Sequence, residues 1–238
     1  MTSKIVRQQC EFYNQYGELY TRLQQEFGNG EPEEDRLIMR RMLAERHCSG
    51  FLVEIGCGAG HDLRAWCELG ASEVQAYDCS DAMRQIAEKQ AKTLSDEGLN
   101  VSVAWMSGTW GRIVENDSSV DFIVGRYSLH LAEDMDVAFR ESARVLLPGG
   151  WMAFSVPHPE YHAHMVREGR SLDGVLWSSL FGGQITVPNP VRDNMEQYYL
   201  APARPYFDQF ECVPYRDPAV MDLGEGVPTG LVCAFRKK

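Results

Sequence analysis

Residues 51–60 read Phe51-Leu52-Val53-Glu54-Ile55-Gly56-Cys57-Gly58-Ala59-Gly60. The apolar run is rich in β formers and predicts a buried strand that ends at an acid. The three glycines at alternate positions predict a tight turn into a helix. Glycine takes positive φ at no steric cost and lets a ligand approach the main chain closely. The helix after such a turn offers free N–H groups and the positive end of its dipole. The stretch therefore reads as a platform for a cofactor.

Spacing narrows the cofactor. The dinucleotide fingerprint G-x-G-x-x-G needs its third glycine where this chain has His61. A phosphate-binding P-loop needs a Gly-Lys-Ser/Thr ending, which is absent here. Glu54 repels a pyrophosphate and suits a cationic amino-acid moiety. A second short strand, Glu73-Val74-Gln75-Ala76-Tyr77-Asp78, also ends in an acid. Asp78 stands 18 residues after Gly60, the separation expected for a carboxylate on the neighbouring strand tip that grips ribose hydroxyls.

Together, Glu54–Gly60 and Tyr77-Asp78-Cys79-Ser80 resemble the class I S-adenosylmethionine-dependent methyltransferases. Further segments resemble that family in order: Val120–Val124 its fourth strand, Ser128-Leu129-His130-Leu131 the following loop, Arg144–Trp151 the approach to its fifth strand, and Gly226–Phe235 its terminal strand. The resemblance covers residues 50–157 well and the last 30 loosely. It implies an α/β, Rossmann-like, doubly wound sheet of seven mostly parallel strands with the last antiparallel, plus an N-terminal helical lid and a cap insertion.

Periodicity agrees with that class. Strands are predicted near 51–55, 73–78, 100–105, 120–125 and 150–156, with helices near 60–69, 80–95 and 133–146. The alternation implies a parallel sheet with helices on both faces. One or two amphipathic helices over 3–27 and another from Pro32 to about His47 precede it, and two strands near 209–216 and 230–236 close the chain. The 238 residues read as one domain: 1–48 lid helices, 49–157 cofactor core, 158–206 a proline- and aromatic-rich substrate cap, 207–238 terminal strands.

The net charge of −11 and the lack of a basic stripe argue against nucleic acid as a partner. No apolar run reaches membrane-span length, and the first residues lack an apolar signal core, so a cytoplasmic protein without membrane contact is expected. The seven cysteines contain no C-x-x-C pair, so neither a zinc knuckle nor a redox dithiol is expected, and Cys57 and Cys79 read as small fillers inside the cofactor motifs.

The resemblance assigns Glu54, Gly56, Gly58 and Gly60 to the methionine half of S-adenosyl-L-methionine and Asp78 to its ribose hydroxyls, with Cys57 and Cys79 also among the cofactor-binding residues. Met83 packs either against adenine or in the core. The family's adenine-reading acid after the third strand is missing, which leaves Ser107, Gly108 or Thr109 for that contact, and Trp105 and Trp110 either stack on adenine or belong to the core. Arg126 pairs either with a ligand carboxylate or within a structural salt bridge. Tyr13, Tyr16 and Tyr20 share one helical face, and the resemblance implies that this helix folds over the cofactor, with Tyr16 among the contacts. His130 and His158 are the candidate bases, since imidazole takes a proton near neutral pH. His158, His162, His164 and Glu160 match no metal-ligand spacing, and no metal is expected. The implied reaction is methyl transfer to oxygen or nitrogen, less readily carbon, of a small organic acceptor. Two rivals remain open: a protein of this fold that binds the cofactor while rearranging or cyclising its substrate, and a non-catalytic binding module. The aromatic N-terminal helix serves equally as a lid or as a homodimer interface.

Overall fold

The computed structural model describes residues 4–27, 33–106, 110–180, 184–216 and 227–238. Two helices, α1 (Lys4–Phe27) and α2 (Glu34–Glu45), precede the sheet. Then follow β1 (Gly50–Ile55), α3 (Leu63–Glu68), β2 (Ala71–Asp78), α4 (Asp81–Asp96), β3 (Val101–Trp105), β4 (Val120–Arg126), a 3-10 turn (Leu129–Leu131), α5 (Met135–Val145) and β5 (Leu146–Pro157). These strands and helices fall where the alternation of apolar runs places them.

The seven strands are ordered β3-β2-β1-β4-β5-β10-β9, the last two being β9 (Phe207–Tyr215) and β10 (Gly230–Lys237). β10 runs antiparallel to both of its neighbours, and the other pairings are parallel. Strand order reverses between β1, flanked by β2, and β4. Ligands of such sheets bind at the carboxyl ends of the strands beside that reversal.

Side-chain alternation along β1 explains where Glu54 points. Val53 and Ile55 join the cluster on one face of the sheet, with Phe139, Phe154 and Phe235. Leu52 joins the other, with Met39, Leu43 and Trp66. Residues two apart share a face, so Glu54 lies on the Leu52 face and meets Trp66 of α3. Both faces are covered, which is why β1 and β4 read as continuous apolar runs. Truncating a fully buried aromatic such as Phe139 costs about 3–5 kcal/mol.

Helix starts follow local chemistry. Ser80 caps α4 by accepting from Met83 N–H at 3.2 Å, and Asp134 caps α5 by accepting from Val137 N–H at 3.1 Å.

Residues 158–206 contain more regular structure than the sequence revealed. α6 (Pro159–Arg167) is followed by a three-stranded antiparallel sheet of β6 (Ser171–Leu172), β7 (Val175–Leu180) and β8 (Ile185–Pro190), then by a π-helical turn (Glu196–Leu200). Pro159 occupies the first turn of α6, where its missing N–H is no loss.

One cysteine expectation is corrected. Cys79 is no mere filler: it forms a disulfide with Cys10 of α1, with Cα atoms 6.0 Å apart. The bridge fixes α1 to the tip of β2. Asn14 of α1 reinforces the attachment, its Oδ1 accepting from Ser80 Oγ at 3.0 Å and from Ala82 N–H at 3.3 Å. Among the described residues no helix is long and apolar enough to cross a membrane.

Candidate active site

One cavity runs from the glycine turn to the β7–β8 hairpin. At its first end the turn is tied to β2, with Gly56 and Cys57 N–H donating to Tyr77 C=O at 2.8 and 3.0 Å. Gly56 has φ +78°, and a Cβ there would stand 2.6 Å from Ser128 Cβ, so only glycine fits. Gly58 has φ +53°, and a Cβ there would meet nothing within 4 Å. The space beside Gly58 is thus cavity, left free by the residue type.

Two carboxylates flank that space. Glu54 is 2% exposed, and its Oε2 accepts from Trp66 Nε1–H at 2.9 Å. Burial, with the charge of Asp62 adding to it, pushes its carboxyl up to about 8, while Trp66, Arg126 and Arg36 pull the other way. A buried acid of this kind suits a cationic ligand group, which restores its charge. Asp78 accepts from Gly58 N–H on Oδ2 and from Ser80 N–H on Oδ1, both at 2.8 Å. Each oxygen keeps acceptor capacity for a ligand hydroxyl. Burial raises its carboxyl, and the N–H groups of Ser80, Gly58 and Cys79 oppose the rise. A buried acid for an ammonium group, a second acid for a diol and an unfilled glycine cradle fit S-adenosylmethionine. Met83 and Met106 add apolar wall at this end.

A cluster of charges closes the side towards α2. Arg126 donates to Asp35 with Nε at 2.8 Å and Nη2 at 3.0 Å, to Asp62 with Nη1 at 3.3 Å, and to Glu33. Burial works against its charge, but Asp35, Asp62 and Glu33 outweigh it and raise its pKa. Arg36 and Arg40 donate to Asp62 at 3.0 and 3.1 Å. Burial alone would raise Asp62; Arg126, Arg36 and Arg40 hold it below the usual carboxylate range. Arg126 and Arg36 thus line the cavity with their charges already paired.

The roof has two parts. α1 contributes Gln9, Tyr13, Tyr20 and Gln24; α6 and the hairpin contribute Tyr161, Ser178, Val187 and Asn189. The parts touch, since Gln9 Nε2 donates to Pro188 C=O and Leu23 packs on Val187. Beneath them His130 is 3% exposed, and its Nε2 lies 3.1 Å from Asn189 Oδ1. Burial, with help from Arg192, drives its imidazole down to about 4, against the Asn189 hydrogen bond. His130 is therefore neutral at pH 7.

The expected residues separate clearly. Glu54, Gly56, Cys57, Gly58, Asp78, Cys79, Met83, Arg126 and His130 all line the cavity. Gly60 lies behind it, where a Cβ would stand 2.8 Å from Leu63 Cδ1, so it serves the packing of the turn. Ser107, Gly108 and Thr109 fall outside the described residues. Tyr16 is corrected: it is 39% exposed, while Tyr13 and Tyr20 face the cavity. His158 is corrected as well. Its Nδ1 caps α6 by accepting from Glu160 N–H at 3.1 Å, and its ring is no part of the cavity wall. Trp110 is fully buried and donates to Ser128 Oγ at 3.2 Å, and Trp105 is 53% exposed; neither lines the cavity. Among the described residues no group of three or more His, Cys, Asp or Glu is placed to hold a metal.

Several wall residues escaped the sequence reading. Asn189, Gln9 and Ser178 carry no local signal. His61 follows the last glycine of the turn, which is signal enough to have placed it in the wall; its Nε2 is buried without a partner, and burial with Arg36 lowers its pKa.

Residues 53–154 match the family model described as "Methyltransferase domain". A malonyl-acyl-carrier-protein O-methyltransferase of Yersinia pestis is 29% identical over 113 residues, 48% of this chain and 39% of that protein. The match thus spans about two fifths of the curated relative's length. Among solved structures, an S-adenosylmethionine-dependent methyltransferase of Mesorhizobium loti has a TM-score of 0.61 at 20% identity, covering 84% of this chain and 96% of the other. The cyclase SpnF has a TM-score of 0.68 at 17% identity, covering 100% and 98%. At these identities the structural likeness speaks for the fold. Motif order, cavity chemistry and family match agree: residues 53–154 are similar to a methyltransferase domain, and the chain has the fold of class I, S-adenosylmethionine-dependent methyltransferases.

Proposed function

We propose that the chain transfers the methyl group of S-adenosyl-L-methionine to an oxygen, or else a nitrogen, of a small organic acceptor. The observation that carries this reading is one roofed cavity that has Glu54 and Asp78 at one end and neutral His130 at the other. The bound cofactor supplies a methyl group already activated on a sulfonium. The residues hold the reactants together and exclude water, so proximity and orientation supply most of the rate. Glu54 takes the amino-acid cation, Asp78 the ribose hydroxyls, and the turn from Gly56 to Gly58 gives way to the ligand. His130 takes a proton from a hydroxyl acceptor.

The aromatic and apolar roof suits an uncharged, partly apolar acceptor. The two wall arginines are occupied, which disfavours a free carboxylate of the kind implied by the relative's name. We further propose a cytoplasmic protein with no nucleic-acid partner, consistent with its net charge of −11, and α1 as lid or homodimer face. The Cys10–Cys79 bridge makes the compartment a testable point, because cytoplasmic thiols are held reduced. A second reading, cofactor-assisted cyclisation, draws support from the full-length fold match to SpnF.

Incubation with methyl-labelled S-adenosylmethionine and a panel of neutral phenols, alcohols and amines tests the proposal. Label in the acceptor, lost in His130→Gln for hydroxyl acceptors, supports it. Acceptor consumed with no label transferred selects the cyclisation reading.

A further inference from the structure

We propose that Asn189, held by Ser178, positions the His130 ring so that its Nδ1 lone pair meets the proton of a hydroxyl-bearing substrate. Asn189 Nδ2 donates to Ser178 Oγ at 3.0 Å. This leaves the Asn189 Oδ1 turned towards His130 Nε2 at 3.1 Å. A carbonyl oxygen only accepts, so Nε2 carries the ring proton. In a neutral imidazole the other nitrogen then carries a bare lone pair. That nitrogen, Nδ1, is buried without a hydrogen-bond partner, and His130 lines the cavity. A buried acceptor left empty is costly, and a substrate O–H fills it.

The rest of the surroundings hold the ring in this state. Arg192 fixes the main chain beneath it, donating to His130 C=O at 3.3 Å and to Ala132 C=O at 2.7 Å. Tyr127 stands edge-on to the ring at 6.3 Å. The other titratable group nearby is His162, whose Nδ1 accepts from Arg192 N–H at 2.9 Å, so its own proton sits on Nε2. Burial and then His130 and Arg192 drive His162 to about 3, so it adds no charge at neutral pH.

The chemistry balances. The hydroxyl proton passes to Nδ1, the oxygen bonds the methyl carbon, and the carbon–sulfur electron pair stays on sulfur. The products are a methyl ether, a thioether and an imidazolium that returns its proton to solvent. His130 is the catalytic residue here, and Asn189 and Ser178 are positioning residues. The inference rests on the methyl-transfer reading for its chemistry, while the ring tautomer is measurable without turnover.

The test is long-range proton–nitrogen correlation NMR on the full chain labelled with 15N-histidine, with His130→Gln to assign the resonances. Wild type is expected to show Nε2 protonated and Nδ1 bare at pH 7. Asn189→Leu is expected to release this preference into a tautomer mixture, and Asn189→Asp to keep the tautomer while raising the His130 pKa. Ser178→Ala, a milder change, is expected to weaken the preference if Asn189→Leu fails to fold. A proton on Nδ1 in wild type overturns the proposal, as does an unchanged tautomer in Asn189→Leu or, where that fails to fold, in Ser178→Ala. With S-adenosylhomocysteine saturating, phenol is expected to shift the Nδ1 resonance and anisole is not; equal shifts, or none with either, overturn the hydroxyl assignment. Calorimetry of S-adenosylmethionine on the same samples reports separately on the methyl-transfer reading.

Discussion

The cavity has two ends built by different means. At the cofactor end, backbone does the shaping: Gly56 and Gly58 adopt positive φ, their N–H groups bond Tyr77 and Asp78, and the turn and both carboxylates come from one stretch, residues 54 to 83. At the acceptor end, side chains from residues 9, 130, 178 and 189 meet only because α1 and the β7–β8 hairpin fold over the sheet. A short motif encodes the first end, and long-range packing encodes the second. The first holds a ligand common to many proteins; the second is free to differ from one chain to another.

The comparison breaks most sharply if the two ends are independent of the lid. Removing the Cys10–Cys79 bridge frees a closed loop of 69 residues, worth roughly 4 kcal/mol by the chain-entropy account. Cys10→Ser is expected to melt well below oxidised wild type and to show no response to dithiothreitol, in thermal scans with and without reductant. Equal melting of the two proteins under oxidising conditions would show that the lid is held without the bridge.

Next in size is Asp78→Ala. It deletes the ribose acceptor and leaves the N–H groups of Gly58 and Ser80 without their partner. Binding of S-adenosylhomocysteine is expected to weaken roughly 100-fold, about 3 kcal/mol, by calorimetry. Asn189→Leu should leave that affinity within about 2-fold, because it acts at the other end. Parallel losses would merge the two ends into one unit.

A proton count sharpens the electrostatics. Glu54 carries its proton at pH 7 in the free protein, since its pKa is raised to about 8 from 4.5. Held protonated relative to the unfolded chain, it favours the native state least at high pH: that contribution is full below 4.5 and lost as pH rises through 8. A cationic ligand group stabilises the ionised form, so binding S-adenosylmethionine at pH 7 is expected to release close to one proton, and none well above pH 8. Calorimetry in buffers of different ionisation heat reads this directly, and Glu54→Gln should release none.

The smallest effect is at His158. As a cap of α6, His158→Ala should cost about 1 kcal/mol of stability and leave cofactor affinity unchanged. A loss of methyl transfer without loss of folding would return His158 to the site.

How much was legible follows from the same contrast. The strand-turn-helix at 51–69 and the strand tip at Asp78 are local, and both are read directly from residue order. Tyr16 is a lesson in helical geometry: at 100° per residue Tyr13 and Tyr20 lie about 20° apart, while Tyr16 lies about 60° from Tyr13 and about 40° from Tyr20, at the edge of that face, where it is 39% exposed. His158-Pro159-Glu160 is a helix-start pattern, with proline in the first turn and an acid behind it. Cys10 and Cys79 have no mutual spacing signal, and Asn189 sits in β8 between Pro188 and Pro190. Their roles exist only once the sheet has brought α1 and the hairpin together.

The most direct test of the central claim is calorimetric titration of S-adenosylmethionine and S-adenosylhomocysteine into the wild-type chain, with NAD as control. Saturable micromolar-range binding of both sulfur ligands and none of NAD is the expected result. Binding of NAD in their place, or no binding of any of the three, would contradict the account.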